Sequence, residues 1–121
     1  MSINAMKYAE LKPVFLEKYS PPETLVSGNP KQLLETYFVD PTNRFRSVIW
    51  EGLETGSYRL TYPANKHEFI HLLAGRVKVH SQDGTVIELV AGDSCVIPGR
   101  FDGIFEIVEP AKKHAVIVEG L

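Results

Sequence analysis

The sequence has very little cysteine. Cys95 is the only cysteine among 121 residues, so an internal disulfide is impossible. Nothing in the sequence pairs this thiol with a nearby histidine, as a cysteine nucleophile would need. Because free cysteine is often buried, we expect Cys95 to be a core residue without a redox or catalytic role.

Long apolar runs and clusters of basic residues are also missing. No stretch approaches the roughly 18 apolar residues of a membrane-spanning helix, and residues 1–7 lack the apolar stretch of a secretory signal. The formal net charge is -2, from 13 basic and 15 acidic residues, so no electrostatic footprint for nucleic acid or an anionic membrane is visible. We expect a cytoplasmic protein with no nucleic-acid partner and no membrane partner.

The first third of the chain is rich in proline, and the remainder has a different texture. Its five prolines, between Pro13 and Pro41, leave room for short strands and turns but for no long helix. One short helix is possible over residues 31–37. Because 121 residues are typical of one domain, we predict an N-terminal arm, residues 1–46, that packs on a barrel formed by residues 47–121.

Short runs of β-branched and aromatic residues recur from residue 47 onward, each closed by Gly, Pro or Asp. Such spacing is typical of an all-β sandwich or barrel. Asp83-Gly84 signals a hairpin, and turns are also expected at Gly75 and Gly92, because glycine adopts positive φ freely. A further turn is expected over residues 109–112, which close the last hairpin. The runs predict eight strands, at residues 47–50, 57–62, 68–73, 76–80, 86–90, 94–97, 104–108 and 114–119.

The spacing of several glycines, a glutamate and a proline along the chain matches the pattern of a known protein family. Gly56 opens a first motif, Glu68 and Gly75 close it, and Gly92 with Pro98 forms a second. This pattern resembles the two signature motifs of the cupin superfamily, and the surrounding sequence is similar to small single-domain cupins related to the cupin domain of (S)-ureidoglycine aminohydrolase. The resemblance implies an antiparallel jelly-roll β-barrel with an irregular N-terminal arm, whose mouth binds a small polar metabolite.

The metal ligands of the superfamily are largely absent. Metal-binding cupins use two His and one Glu from the first motif and one His from the second. In this sequence the first-motif His positions fall near Tyr62 and Ala64, or one residue earlier, and the second-motif position falls at Gly103. Only Glu68 remains, and one carboxylate does not hold a transition metal against water. We therefore predict no metal and no cofactor.

A competing motif overlaps the first one. His67-Glu68-Phe69-Ile70-His71 also matches the His-Glu-x-x-His signature of zinc peptidases, which requires a helix. The flanking runs are strands, on which the two histidines would share one face and Glu68 the other. The sequence therefore favours a cupin strand over a peptidase helix.

Strand parity predicts which side chains line the barrel. If Glu68 points inward, as in the family, Ile70 and Leu72 do so too, while Phe69 and the two flanking histidines face outward. An apolar barrel is expected to raise the pKa of the Glu68 carboxyl, which would suit a general acid or base.

Three further residues complete the candidate site. Tyr58 and Tyr62 fall on the side of a metal-binding histidine, so they either bind ligand in its place or pack in the core. Lys113 matches a lysine of the family and is otherwise a solvated surface cation. We predict Glu68 and Lys113 as candidate catalytic residues, and Tyr58, Tyr62 and Glu68 as candidate ligand-binding residues.

Two functions fit these features. One is an aminohydrolase- or isomerase-like enzyme for a small substrate, and the other is a non-catalytic ligand-binding or assembly module. A catalytic site needs a second ionisable group that converges on Glu68, whereas a binding module needs only the pocket. Outward Phe69 and Leu73, together with the proline-rich arm, predict a homodimer.

Overall fold

The computed structural model describes residues 3–120, which are mostly β-strand. Two short 3₁₀ turns, Tyr8–Glu10 and Pro22–Thr24, interrupt the N-terminal part, and no helix within 3–120 is long and apolar enough to span a membrane. The nine strands are β1 (Val14–Lys18), β2 (Leu25–Ser27), β3 (Gln32–Val39), β4 (Phe45–Gly52), β5 (Gly56–Thr61), β6 (Lys66–Ser81), β7 (Val86–Val90), β8 (Ser94–Ile97) and β9 (Asp102–Glu119).

The strands form one curled antiparallel sheet. Its main path runs in the order β1-β3-β4-β9-β5-β2. Strand β9 pairs with β4 and β5 along one edge and with β6 along the other, while β6 continues the sheet to β7 and β8. The predicted all-β barrel is confirmed.

The two longest strands differ from the prediction. The expected turns at Gly75 and over residues 109–112 are wrong, because β6 and β9 each continue through these points and pair from Lys66 to Ser81, with register shifts near Gly75. Gly75 has φ +83, and an added Cβ would lie 2.1 Å from the carbonyl oxygen of Pro110. This glycine therefore permits a bulge at which two backbones approach closely.

The other two predicted turns are confirmed. Gly84 has φ +92 in the hairpin between β6 and β7, where the Ser81 amide donates to the Thr85 carbonyl over 2.8 Å. Gly92 has φ +97 between β7 and β8. Both glycines occupy the left-handed conformation that other residues rarely adopt.

The N-terminal segment contributes three strands to the sheet. The short helix predicted at 31–37 is wrong, since these residues enter β3, which pairs with β1 on one side and β4 on the other. Its second half, Thr36 to Val39, is β-branched or aromatic, and such residues favour strands. The division of the chain at residue 46 stays a prediction.

The core lies between the inner faces of the curled sheet. Phe105 on β9 is its centre, with the Trp50 ring 5.6 Å and the Tyr58 ring 5.7 Å from its own ring centroid. Cys95 packs at the edge of this cluster, in line with the expected structural role. The inner face of β6 closes the core with Ile70 and Leu72, both without exposed surface.

Candidate functional site

A cavity of about 260 Å³ opens at one end of the barrel beside the apolar core. The inner faces of β3, β4, β5, β6 and β9 line it, together with the segment that follows β1. All four residues predicted from the sequence, Tyr58, Tyr62, Glu68 and Lys113, line this one cavity. The fold therefore brings them together from three strands and one loop.

Glu68 lies at the centre of the polar groups in the cavity. It is 4% exposed, and the alternation of buried and exposed residues along β6 places it on the inner face, as the cupin resemblance implies. The Tyr62 hydroxyl donates to Oε1 of Glu68, and the Lys113 ammonium donates to Oε2 over 3.0 Å. Both carboxylate oxygens are thus held by side chains of the barrel, and Lys113 is buried, not solvated.

The pKa of Glu68 shifts in the direction opposite to the prediction. Burial by itself raises this pKa, but the charge of Lys113 and the hydrogen bonds from Tyr62 and Lys113 outweigh it and hold the pKa below its ordinary value. The expected rise is wrong because it considered burial alone. The counter-charge of Lys113 comes from a position 45 residues away in sequence, and its contact with Glu68 is visible only in the folded chain. At neutral pH Glu68 is a carboxylate and has no proton to donate as a general acid.

The two tyrosines are neutral phenols with different roles. Burial and the nearby charge of Glu68 raise the pKa of both hydroxyls above the ordinary range. The Tyr62 hydroxyl has a partner in Glu68. Tyr58 is only 8% exposed, and its hydroxyl donates to no other residue within 3–120, while its side chain lines the cavity. Tyr58 is therefore both a core residue and an unused hydrogen-bond donor.

Lys113 is held against two aromatic rings. Its Nζ lies 4.9 Å from the centroid of Trp50 and 4.9 Å from that of Phe105, distances at which a cation is attracted to a ring face. The Trp50 indole N–H donates to Gln32 over 2.9 Å, and the Gln32 amide donates to Ser20 over 3.0 Å. This chain of contacts holds the Trp50 ring in place beside the ammonium.

Sequence reasoning missed Gln32 and the two lysines at the cavity mouth. Gln32 is 1% exposed, but its role depends on the pairing of β3 with β4, which no local signal showed. Lys18 and Lys66 both line the cavity, and Lys66 Nζ lies 4.6 Å from the centroid of the Tyr62 ring. Nothing in the sequence around these two lysines distinguishes them from ordinary surface cations.

The cavity does not fit a cupin metal ion. Glu68 is the only acidic residue that lines it, and both oxygens of this carboxylate bind donors from Tyr62 and Lys113. Within 3–120 no three His, Cys, Asp or Glu side chains are grouped so that they could hold a metal. An ammonium and two neutral phenols are not ligands for a divalent transition metal.

The histidines of the His-Glu-x-x-His motif lie on the opposite face of β6. His67 Nδ1 accepts a hydrogen bond from the Gly99 amide over 2.9 Å, and His71 Nδ1 lies 2.7 Å from the Ser94 hydroxyl. On a strand these rings point away from Glu68. The rejection of a peptidase site is therefore supported by the observed strand.

Comparison with known proteins places the fold. Residues 39–115 match the family described as the EutQ-like cupin domain, and no curated protein matches the sequence. Similar solved structures include a predicted oxalate decarboxylase from Thermotoga maritima, with TM-score 0.68, 15% identity and coverage of 97% of this chain and 100% of that one.

Two further solved structures are similar. The EutQ protein of Clostridium difficile has TM-score 0.60 and 22% identity over 84% of this chain and 80% of its own. KdgF from a Halomonas species has TM-score 0.62 and 13% identity over 74% and 80%. At such identities these likenesses show the fold alone, because one fold hosts many functions.

Proposed function

Since the chain belongs to the EutQ-like cupin domains, we propose that its barrel cavity binds a small polar metabolite and that this binding is its function. The observation that carries the proposal is the Tyr58 hydroxyl, which has no hydrogen-bond partner within 3–120 and opens on the cavity, because no fully buried side-chain oxygen or nitrogen of these residues is left unpaired. Such a hydroxyl can donate to a ligand in place of water.

The ion pair between Glu68 and Lys113 supports the same proposal. Burying two charges costs several kcal/mol per ion, and apolar residues of similar volume are often at least as stabilising. The barrel itself needs no such pair. A ligand site gives the pair a use, because Glu68 holds both Lys113 and the Tyr62 hydroxyl in fixed positions.

The roles divide between ligand contact and positioning. An ammonium has three N–H donors, of which Lys113 gives one to Glu68, so its other donors and the Tyr58 hydroxyl are available to a ligand. Glu68 and Tyr62 satisfy each other and act as positioning residues. We propose Lys113 and Tyr58 as the principal ligand contacts.

Catalysis is the second candidate function, and one observation favours it. Lys113 and Tyr62 both converge on Glu68, which meets the requirement for a second ionisable group. In this version the chain is an aminohydrolase- or isomerase-like enzyme, related to the cupins of the (S)-ureidoglycine aminohydrolase type. The protonation states argue for the binding module, because the pKa of Glu68 is lowered and those of both tyrosines are raised, away from the neutral values that suit acid–base catalysis.

A metabolite screen tests the proposal. A ligand that prefers the native state raises Tm, so at least one small polar metabolite should stabilise the wild-type protein. Tyr58→Phe removes only the unpartnered hydroxyl; it should leave the Tm of the free protein unchanged and reduce or abolish the ligand shift. Tyr37→Phe, whose hydroxyl bonds Glu35 away from the cavity, is the control and should keep the shift.

The proposal fails if no metabolite shifts Tm. It also fails if the shift is the same in wild-type, Tyr58→Phe and Lys113→Met proteins, because the ligand would then bind outside the cavity. Turnover of the bound metabolite by the wild-type protein, lost in Lys113→Met, would favour the enzymatic candidate instead.

We further propose a homodimer in the cytoplasm. Phe69 and Leu73 lie on the outer face of β6, 47% and 43% exposed, and Val96 is directly opposite Phe69 on β8 and 62% exposed. Exposed apolar side chains that lie together often mark interfaces. Light scattering should give twice the monomer mass for the wild-type protein and the monomer mass for Phe69→Asp; a monomeric wild-type protein contradicts the dimer.

A further inference from the structure

We infer that the metabolite is a small carboxylate, held by Lys113 and Tyr58 and attracted by two lysines at the mouth, Lys18 and Lys66. The inference rests on the proposed function and adds the chemical class of the ligand. Three features of the cavity carry it, namely the balance of charge in its lining, the donors left free inside it and the carbon-rich walls around them.

The lining has a surplus of positive charge. It includes four cationic side chains, Lys18, Arg59, Lys66 and Lys113, and one carboxylate, Glu68. Glu68 neutralises Lys113. Arg59 has its own partner outside the cavity lining, because its guanidinium makes two hydrogen bonds to Asp102, over 3.0 and 2.8 Å.

Two positive charges therefore remain in the lining. Lys18 and Lys66 make no ion pair with an acidic side chain of residues 3–120. The whole chain carries a formal charge of -2, so the cavity has the opposite sign to the protein. A cleft of one sign focuses its field and concentrates ligands of the other sign.

The charges of the two mouth lysines act on the same cavity as the charge of Lys113. Burial, followed by the charges of Lys113 and Lys66, lowers the pKa of Lys18, and the charge of Glu68 offsets part of this shift. Lys18 therefore shares the cavity with two other ammonium groups that repel it. Lys66 lies against the ring of Tyr62, which in turn bonds Glu68. A bound anion would relieve this repulsion, whereas a cationic ligand would increase it.

The free donors match the acceptors of a carboxylate. Lys113 has N–H donors beyond the one given to Glu68, and Tyr58 has a free hydroxyl beside the same carboxylate–ammonium pair. A carboxylate has two oxygens and no donor, so it can accept from both residues, and charge-assisted bonds of this kind are the strong ones. An amide or alcohol lacks the charge.

Size and wall chemistry favour an organic acid over inorganic phosphate. The cavity volume of about 260 Å³ lies just below the range of roughly 300–1,000 Å³ for drug-sized ligands, so the ligand is a small metabolite. The rings of Trp50, Tyr58 and Phe105 form much of its wall. Apolar rings pack favourably against the carbon skeleton of an organic acid, whereas inorganic phosphate has no carbon atoms to pack against them.

The test compares acids with their neutral amides. Glycolate, lactate, malonate and succinate are titrated into the wild-type protein beside glycolamide, lactamide, malonamide, succinamide and inorganic phosphate, with Tm and calorimetry as readouts. At least one acid should bind at least roughly tenfold more tightly than its amide, a difference of about 1.4 kcal/mol. The preference should weaken at high salt, which screens the exposed lysines.

Matched charge variants locate the effect. Lys18→Gln combined with Lys66→Gln should weaken binding of that acid by roughly tenfold and leave the Tm of the free protein nearly unchanged. The control is Lys7→Gln combined with Lys12→Gln, which removes two exposed lysines that do not line the cavity and should leave the affinity unchanged.

The outcomes separate the two proposals. If acids and amides bind equally well, and Tyr58→Phe abolishes the binding of both, the carboxylate inference is overturned and the metabolite site stands. The same conclusion follows if the general screen finds a neutral or cationic ligand and none of the acids binds. Phosphate that binds as tightly as the best acid also overturns the organic acid. Failure of the general screen to find any ligand overturns the proposed function itself.

Discussion

The two faces of strand β6 differ in how their polar groups are satisfied. On the inner face Glu68, Ile70 and Leu72 are almost without exposed surface, and the one charged group among them binds a lysine and a tyrosine from other parts of the chain. On the outer face His71 stays near solvent and bonds a serine of the adjacent strand β8, and Phe69 is 47% exposed.

This difference shows what strand alternation determines. Alternation fixes the face on which each residue lies, but burial changes the cost of leaving a polar group unpaired. Inner polar residues must therefore be supported by specific partners, while outer ones can exchange their partners for water. Substitutions on the inner face should accordingly cost far more than matched substitutions on the outer face.

The largest difference is expected between two adjacent lysines of β9. Lys113→Met leaves the buried Glu68 carboxylate without its counter-charge and should lower the free energy of unfolding by about 3–5 kcal/mol. Lys112→Met removes a 3.6 Å pair with Glu51 whose lysine side chain is 43% exposed, and should cost no more than about 1 kcal/mol.

Chemical denaturation at neutral pH measures both losses. Combining Lys113→Met with Glu68→Gln removes both charges and should recover much of the stability lost by the single variant, because no uncompensated charge remains. Equal losses for Lys113→Met and Lys112→Met would contradict the asymmetry between the faces.

Apolar truncations on β6 should show the next largest difference. Ile70→Ala creates a cavity at a fully buried position and should cost about 2–5 kcal/mol. In the separated monomer Phe69→Ala should cost only about 1 kcal/mol, because roughly half of its side chain is already in water there. Denaturation of both variants, at a dilution at which light scattering gives the monomer mass, makes the comparison, and equal losses would contradict it.

Hydrogen bonds should differ in the same direction. Tyr62→Phe removes a buried bond to a charged carboxylate and should cost about 1.5–3 kcal/mol. His71→Ala removes the bond to Ser94 on the outer face and should stay within about 0.5 kcal/mol of wild type. Thermal unfolding followed by circular dichroism measures both effects. Similar shifts in Tm for the two variants would contradict the prediction.

The smallest effect concerns pH. The pKa of folded Glu68 lies below its ordinary value of 4.5, so the stability it contributes is fully present above that pH and is lost as the pH falls through the folded pKa. The free energy of unfolding of wild type should therefore fall more steeply in acid than that of Glu68→Gln. Asp40, whose pKa is lowered to about 2 by hydrogen bonds in an exposed turn, is present in both proteins and therefore does not contribute to the difference. Identical slopes of unfolding free energy against pH in the two proteins would contradict the role given to Glu68.

The sequence predicted much of the fold because the relevant signals are local. The Asp83-Gly84 hairpin and the turn at Gly92 follow from the conformational freedom of glycine, and alternation places Ile70 and Leu72 on the same face as Glu68. The continuity of β6 past Gly75 could not be read in this way. A glycine that closes a turn and one that admits a neighbouring backbone look the same until the position of Pro110 is known.

The members of the candidate site could be proposed from the sequence, but their electrostatics could not. Tyr58, Tyr62, Glu68 and Lys113 were all chosen with the help of the cupin resemblance, and all four line the cavity. The pKa of Glu68 depends on contacts across the barrel, and Gln32 enters the site only because β3 pairs with β4. Such contacts are set by the topology and leave no periodic trace in the sequence.

The central claim is that the inner polar groups of this barrel form a ligand site. The crystal structure of the protein with the strongest ligand from the metabolite screen tests it most directly. The account predicts that a ligand oxygen lies within hydrogen-bond distance of Lys113 Nζ and the Tyr58 hydroxyl, with the Glu68–Lys113 pair intact. A ligand bound on the outer face of β6, with the cavity filled only by water, would contradict it.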